Sequence, residues 1–220
     1  MRSPSLPLLI VLAALCVAAS GARAANAANA ANAADADAAD VAAAESRIED
    51  LTDGLLDIMK RAEELGVAGR ASVITPVVES CFDLEYMARA TIGRVWYGIS
   101  VDDQRRWVEV FTANTVYRLA TRFGGFSGQS FEILGHKAAS RGTLIVKTNL
   151  VRPAQETVRL DYRMHETGSG WKVVDIYARG TISEVAVRRS EYEKMLRESG
   201  IDVLIESVAA MTQERLAKDR

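Results

Sequence analysis

The residues best suited to acid–base chemistry in this sequence are two aspartates and two histidines in the strand-patterned part of the chain. Asp161 and Asp175 lie in segments that could face a cavity, where desolvation raises the pKa of a carboxyl group. His136 and His165 fall on separate predicted strands, without a cysteine or carboxylate at metal-ligand spacing, and alternation places His165 on a solvated face. No visible residue pairs with either aspartate. The sequence therefore predicts no catalytic set, metal site or cofactor site.

Three other polar motifs have structural interpretations. Asp102 and Asp103 would point about 100° apart on a helix, which suits its first turn better than joint catalysis. Arg188 and Arg189 could bind phosphate, could lie on a solvated helix face, or could pair with Glu184, Glu191 or Glu193, and the sequence leaves these alternatives open. The glycines of residues 124–128 lack the Lys-Ser/Thr of a phosphate-binding loop and favour a plain turn.

The N-terminus predicts export. Residues 1–24 combine a positive start, an apolar run over residues 6–19 and a small-x-small site, which is typical of a signal peptide cleaved after Ala24. The run is shorter than the roughly 20 residues of a membrane-spanning helix. Residues 25–44 are almost entirely Ala, Asn and Asp, and are predicted to be a low-complexity leader, either flexible or extending the next helix backwards.

Charge and cysteine content narrow the class of protein. The formal net charge is −2 and no basic block is present, which argues against nucleic acid as a partner. Removal of residues 1–24 would leave Cys81 as the only cysteine, so no intrachain disulfide is expected. Val77 and Val78 precede it and favour a buried thiol. The remaining chain is long enough for one sizeable core.

Residues 82–123 are predicted to form two central helices of the fold. Two helical patterns meet at Gly98–Ser100, and Ser100 is suited to cap the second helix. The second helix has apolar residues on two sides, so it is either covered twice or lines something apolar. Its broad face contains Val101, Val108, Phe111, Thr115, Val116, Leu119 and Phe123, with Val110 and Tyr117 nearly opposite.

The other elements follow from hydrophobic periodicity. An amphipathic helix over 45–65 ends at Gly66 and Gly69, and Ser72 is the predicted N-cap of the next helix. About four antiparallel strands follow, at residues 130–137, 142–151, 156–165 and 171–178. Two final helices are separated at Gly200. The pattern predicts one α+β domain over 45–218, with helices on the concave face of a curved antiparallel sheet of nuclear-transport-factor-like or cystatin-like type. Such a fold can enclose an apolar pocket, but the spacing alone does not decide whether the interface between sheet and helices is solid or hollow.

The order and spacing of several motifs over residues 45–216 resemble the toluene-tolerance/MlaC family of periplasmic lipid-binding proteins. The motifs are Phe82-Asp83, Met87-Ala88-Arg89, Gly93, Trp96, Gln104, Phe111, Tyr117, Trp171-Lys-Val-Val-Asp-Ile176, Gly180, Arg189-Ser190, Gly200 and Leu204-Ile205. Residues 182–192 are most similar to the hopanoid-biosynthesis-associated branch, HpnM. Phospholipid-shuttle members tend to carry Asn-Tyr-Arg-Ser there.

The resemblance implies a soluble periplasmic carrier of phospholipid or hopanoid that performs no chemistry and needs no cofactor. Family members hold acyl chains between sheet and helices and keep the headgroup near the mouth. They exchange lipid with an MCE-domain ABC transporter and an outer-membrane lipoprotein complex.

Such a pocket would be lined by apolar residues of the central helices and the inward face of the sheet. The expected lining is Trp96, Val108, Phe111, Val116, Leu119, Leu144, Val146, Val158, Leu160, Tyr162 and Met164. Ordinary core packing is the alternative for each. Two other functions remain open: a lipid-modifying isomerase or hydrolase using Asp161 or Asp175, and an envelope adaptor that docks through the final helices without a ligand.

Overall fold

A computed structural model describes residues 15–153 and 155–218, with side chains from residue 38 onward. In that part of the chain, helices come first, an antiparallel sheet follows and a long broken helix closes the chain. The elements are α1 (Leu15–Lys60), α2 (Ala62–Cys81), α3 (Leu84–Ile92), α4 (Val101–Arg122), β1 (Ser130–Ala139), β2 (Thr143–Val151), β3 (Val158–Thr167), β4 (Gly170–Ala178), β5 (Ile182–Ser183) and α5 (Glu184–Lys218). The unit Ala43–Arg220 holds the α+β domain.

The N-terminal helix is longer than the predicted amphipathic segment. Residues 25–44 are helical, as in the interpretation in which the alanines extend the helix backwards, because alanine has the highest helix propensity. Part of the predicted signal peptide, residues 1–14, lies outside the described residues, and its cleavage stays a prediction. No helix in the described part of the chain is both long and apolar enough to cross a bilayer.

The junction of α1 and α2 differs from the prediction. The chain breaks at Lys60 and again at Gly66, whose φ of 58° is outside the helical region, and Ser72 lies within α2 instead of capping it. The side chain of Arg70 stabilises the chain at this break. Its buried guanidinium donates to the carbonyl oxygens of Ala62 and Ala120, both at 2.8 Å, and so ties the start of α2 to the end of α4.

The predicted break before α4 is confirmed. The hydroxyl of Ser100 accepts from the backbone N–H of Asp103 at 3.1 Å. A short 3-10 turn, residues 93–98, separates α3 from α4, because Gly93 ends α3 with a φ of 58°. The predicted broad face of α4 is rotated at its start, since Val101 is exposed and Trp107 is fully buried.

Trp107 gives the first testable prediction. Its indole N–H donates to the carbonyl oxygen of Ala88 at 3.0 Å, and its ring meets Tyr192 edge-on at 5.2 Å. Replacing it with phenylalanine loses a hydrogen bond and buried volume, so the free energy of unfolding should fall by about 1–2 kcal/mol in denaturant titrations. Trp171→Phe is the matched control, because the indole N–H of Trp171 is buried without a hydrogen-bond partner among the described residues. An equal loss of unfolding free energy in the two variants would show that the hydrogen bond from Trp107 to Ala88 does not contribute to stability.

The sheet is an antiparallel meander in which each strand pairs with the next in the order β1-β2-β3-β4-β5. β3 and β4 form a hairpin in which Thr167 pairs with Gly170 around a two-residue turn. A fifth, two-residue strand joins the four expected, where Tyr177 faces Ser183 and Ala178 faces Ile182. With helices beside a curved antiparallel sheet, the α+β fold is as predicted.

The alternation predicted for β2 and β3 is also present. Leu144 faces Met164 and Val146 faces Tyr162 across the two strands, and these four side chains are buried on the helix-facing side. Phe82, between α2 and α3, forms a parallel bridge with Val173 of β4. This bridge places the start of α3 beside the sheet.

Candidate functional site

A small cavity lies between the helices and the sheet. Its volume is about 50 Å³. Its lining consists of Leu51 and Leu55 from α1; Phe82, which follows α2; Leu119, Arg122 and Phe123 from the end of α4; Leu160 and Tyr162 from β3; and Ile176 from β4. All of these side chains are apolar except Arg122 and the hydroxyl of Tyr162. Burial raises the pKa of that hydroxyl, so the tyrosine stays neutral.

The periodicity of each element explains why these side chains converge. Leu51 and Leu55 are four residues apart on one face of α1. Leu160 and Tyr162 are two apart on one face of β3, and Tyr162 stands opposite Ile176 in the register with β4. The cavity is therefore the meeting point of an apolar helical stripe and an apolar sheet face.

The cavity has room for a single water molecule or a methyl group, since a water occupies about 30 Å³ in the liquid. Pockets for larger ligands usually measure about 300–1,000 Å³. In this conformation the layers are thus nearly closed on each other, and a lipid tail could enter only if they separated.

The eleven residues predicted to line a pocket are placed in three settings. Leu119, Leu160 and Tyr162 line the cavity. Val108 and Val116 lie instead in an open groove of about 500 Å³, together with Ala71, Ser72, Thr75, Glu79, Glu109, Thr112, Ala113 and Leu216. The other residues pack outside both: Trp96, Phe111, Leu144, Val146 and Met164 are buried, and Val158 is half-buried.

The cavity also includes residues that the sequence did not single out. Leu51 and Leu55 were visible as an apolar stripe on α1, but nothing in the sequence placed that stripe against β3. Phe82 was part of the motif that resembles a known family. Ile176 could have been found from the alternation of β4, had the register with Tyr162 been known.

A cluster of charges adjoins the cavity at Arg122. The carboxylate of Glu184 lies 3.4 Å from Arg122, 3.2 Å from Arg118 and 3.3 Å from Arg188. Burial raises the pKa of Glu184, but the combined field of the three arginines outweighs it and leaves the pKa below its ordinary value. Arg188 is more deeply buried, with 3% of its side chain exposed, and burial lowers its pKa.

The two consecutive arginines point in different directions, and only Arg188 pairs with a neighbouring glutamate. Arg188 faces the core, where it also donates to the hydroxyl of Thr115 at 2.8 Å and stacks over the ring of Phe111 at 4.8 Å. Arg189 is exposed on the other side of α5. Only the first is part of the cluster at Glu184.

The two candidate acids have structural partners. Asp161 accepts two hydrogen bonds from Arg159, both at 2.9 Å. Asp175 accepts from the hydroxyl of Ser183 at 2.5 Å and from the backbone N–H of Val185 at 3.1 Å, at the start of α5. Burial raises the pKa of Asp175 in spite of these donors. Both carboxylates thus fix local structure.

The histidines are also paired with carboxylates. His165 is half-buried and lies 2.8 Å from Asp83, so it is less exposed than its predicted position on a solvated strand face would make it. The pairing follows from the bridge at Phe82, which brings the next residue beside the β3–β4 hairpin. His136 lies 3.1 Å from Glu45. Within the described residues, no three His, Cys, Asp or Glu side chains come together as a metal site requires.

The chain is similar to one known protein family and to a solved structure. The protein family MlaC, described as MlaC protein, matches residues 49–210. None of the curated proteins compared with the chain matches it. The fold is similar to a solved structure of a phospholipid-binding protein from Ralstonia solanacearum in complex with a phospholipid. That match has a TM-score of 0.66 and 17% sequence identity, and covers 81% of this chain and 98% of the other.

Proposed function

This chain belongs to the MlaC family, and on that premise we propose that it is a soluble periplasmic lipid carrier. It binds the apolar tail of a lipid at the cavity between α1, α4 and the sheet, and it performs no chemistry. The observation that carries the proposal is a cavity whose walls come from both layers and are apolar apart from Arg122 and Tyr162.

The energetics of lipid transfer explain why such a cavity is needed. Each buried methylene contributes about 0.8 kcal/mol, so a two-chain lipid does not cross water unescorted. The cavity is nearly closed as described, and a tail enters by separating α1 and the end of α4 from β3 and β4. Closing the layers again keeps apolar surface out of water when no lipid is bound. The Ralstonia protein with a similar fold was solved with a phospholipid, which supports this assignment.

Arg122 favours phospholipid over hopanoid as the cargo. Its side chain is 59% exposed while lining the cavity, so the guanidinium lies where a headgroup would meet water. Guanidinium groups bind phosphate by paired hydrogen bonds, whereas an uncharged polycyclic lipid offers no such partner. Glu184, in the segment similar to the HpnM branch, holds Arg122 at 3.4 Å and could tune this preference. A hopanoid is the alternative cargo.

The remaining parts of the proposal concern export and exchange. The chain is exported by a signal peptide cleaved after Ala24, and it exchanges lipid with an MCE-domain ABC transporter and an outer-membrane lipoprotein complex. No observation favours the enzymatic alternative, because Asp161 and Asp175 are held by structural partners. An envelope adaptor without ligand remains the competing function.

Native mass spectrometry of the protein from its own cells, followed by organic extraction, tests the proposal. We expect a phospholipid at one molecule per chain. A hopanoid in its place would assign the chain to the narrower branch. Protein that is empty and takes up no lipid from vesicles would overturn the carrier function in favour of the adaptor.

A further inference from the structure

A cleft of about 260 Å³ lies between the 3-10 turn after α3 and the first half of α5. We call it the arginine cleft. Its lining consists of Thr91, Ile92, Arg94, Val95, Arg189, Glu193, Leu196 and Arg197. Three guanidinium groups against one carboxylate make this concave site cationic, although the chain as a whole has a formal net charge of −2.

The guanidinium of Arg189 lies against the backbone of Gly93. A Cβ atom on Gly93 would lie 2.9 Å from Nη2 of Arg189, so the side chain rests directly on the glycine. Gly93 has a φ of 58°, a conformation that favours glycine. Two constraints thus favour glycine at the end of α3: the positive φ of this residue and the space that the Arg189 side chain occupies.

Two of the three arginines have unused hydrogen-bonding capacity. Arg94 and Arg189 make no hydrogen bond or ion pair with any described residue, and Arg197 is 3.9 Å from Glu198. The neighbouring Arg188, by contrast, is fully engaged in the core with Glu184. Unpaired guanidinium groups in one concave site fit a compact anion with several acceptor oxygens, and phosphate is the common biological example.

Side chains with exposed apolar surface belong to the same 3-10 turn as Arg94. Val95 is 38% exposed and Tyr97 is 77% exposed, and both belong to the 3-10 turn that borders the arginine cleft. A tyrosine beside basic residues is typical of protein surfaces at a membrane interface, where the ring enters the headgroup layer and the cations meet lipid phosphates.

We propose that the arginine cleft docks the protein on an anionic bilayer surface, with a lipid phosphate in the cleft and Tyr97 in the headgroup layer. Both the charge and the exposed tyrosine fit this occupant, whereas free phosphate would use only the charge. This docking does not depend on the cavity between α1, α4 and the sheet. A carrier with such a surface would approach a membrane with one defined face.

Co-sedimentation of the full chain with vesicles tests the docking. Binding should be stronger to phosphatidylcholine vesicles that contain phosphatidylglycerol than to phosphatidylcholine alone, and it should weaken with salt. Arg189→Gln and Arg94→Gln should each reduce the partition coefficient about fivefold, since one basic residue near an anionic surface contributes about that factor. Arg105→Gln is the matched control, because Arg105 is exposed on α4 and already paired with Asp102. It should change binding much less.

Two further measurements separate the possible occupants. Tyr97→Ser should weaken vesicle binding, and inorganic phosphate should compete only weakly. If inorganic phosphate displaces the vesicles fully and Tyr97→Ser has no effect, the cleft is a site for the free ion and the docking proposal fails. It also fails if the arginine variants lose binding to an acidic polypeptide but not to vesicles, which would indicate a protein partner.

The variants leave the lipid cavity intact. Their co-purified lipid and their thermal unfolding should equal those of the unaltered protein, because Arg94, Arg189 and Tyr97 are exposed. Equal binding of all variants to neutral and anionic vesicles would overturn the docking while leaving the carrier function untouched. Loss of co-purified lipid in Arg189→Gln would also contradict it, because the cleft would then belong to the cargo site.

Discussion

Replacing Leu160 with aspartate should give a folded protein that no longer retains lipid. Leu160 lines the cavity and is only half-buried on β3, and Arg122 lines the same cavity. A carboxylate there can reach water or the guanidinium, so the chain should still fold. In the lipid-bound state, however, the carboxylate would face an acyl chain, and burying a charge beside hydrocarbon is strongly unfavourable.

We expect the amount of lipid per chain, measured after organic extraction, to fall at least tenfold, since about 1.4 kcal/mol corresponds to that factor. Leu134→Asp is the matched control. Leu134 is an exposed leucine on β1, away from the cavity, so the same change should leave the lipid content unaltered. Normal lipid content in Leu160→Asp would show that the tail binds elsewhere, and the groove at Val108 and Val116 would become the candidate.

The same substitution at Val146 should behave differently. Val146 is fully buried opposite Tyr162 and lines neither the cavity nor the groove. An aspartate there would have no route to water, so we expect unfolding instead of selective loss of lipid. Comparing the two positions separates the hollow part of the sheet–helix interface from its solid part.

That distinction is one the sequence could not make. Period-two alternation located the inward row of β2 and β3, because one face of an antiparallel sheet must be dry. Alternation is the same whether the facing layer is in contact or separated by a ligand. Leu144 and Leu160 are indistinguishable by pattern, yet only Leu160 lines the cavity.

Helical periodicity has a similar limit in α4. It predicted a cap at Ser100 and an apolar helix that is either covered twice or lines something apolar. The cap is present, and Val108 and Val116 of this helix line an open groove. Periodicity assigned Val101 to the buried face, although the first turn of α4 is exposed. Trp107 was missed because its contacts, Ala88 and Tyr192, belong to α3 and α5. Tertiary packing decides which part of a broad apolar face is buried.

The charges at the cavity show the same dependence on tertiary structure. Arg188 and Arg189 are adjacent in sequence, and either could have been the buried one. The choice is made by Glu184 one turn earlier on α5, and by Arg118 and Arg122 of α4, which share its carboxylate. Only the packing of α4 on α5 brings these groups together.

Replacing Glu184 with glutamine should therefore be among the most destabilising polar substitutions in this domain. Arg188 would stay buried with its charge uncompensated, and breaking a buried ion pair in this way typically costs about 3–5 kcal/mol. The side chain of Glu184 is 11% exposed, so water compensates little of that loss. Glu191→Gln is the matched control. It removes an exposed carboxylate that pairs with Arg118 at 3.2 Å, and should cost about 0–1 kcal/mol.

The pH dependence gives this prediction a second readout. The pKa of Glu184 is below its ordinary value of 4.5, so its stabilising contribution is present above that pH and is lost as the pH falls through the lower pKa of the folded state. Asp175 acts in the opposite direction, because burial raises its pKa, but it is unchanged in both variants. Denaturant titrations should show that the gap between the unaltered protein and Glu184→Gln is constant near neutral pH and shrinks in acid.

A double variant tests whether the buried charge is the cause. Adding Arg188→Met to Glu184→Gln removes the uncompensated guanidinium and leaves an apolar side chain beside Phe111, so much of the lost stability should return. The hydroxyl of Thr115 would keep its bond to the carbonyl oxygen of Phe111, which limits the remaining loss. If the double variant is less stable than Glu184→Gln, the stability comes from the packing of the Arg188 side chain, and the carboxylate matters mainly by holding Arg122 at the cavity.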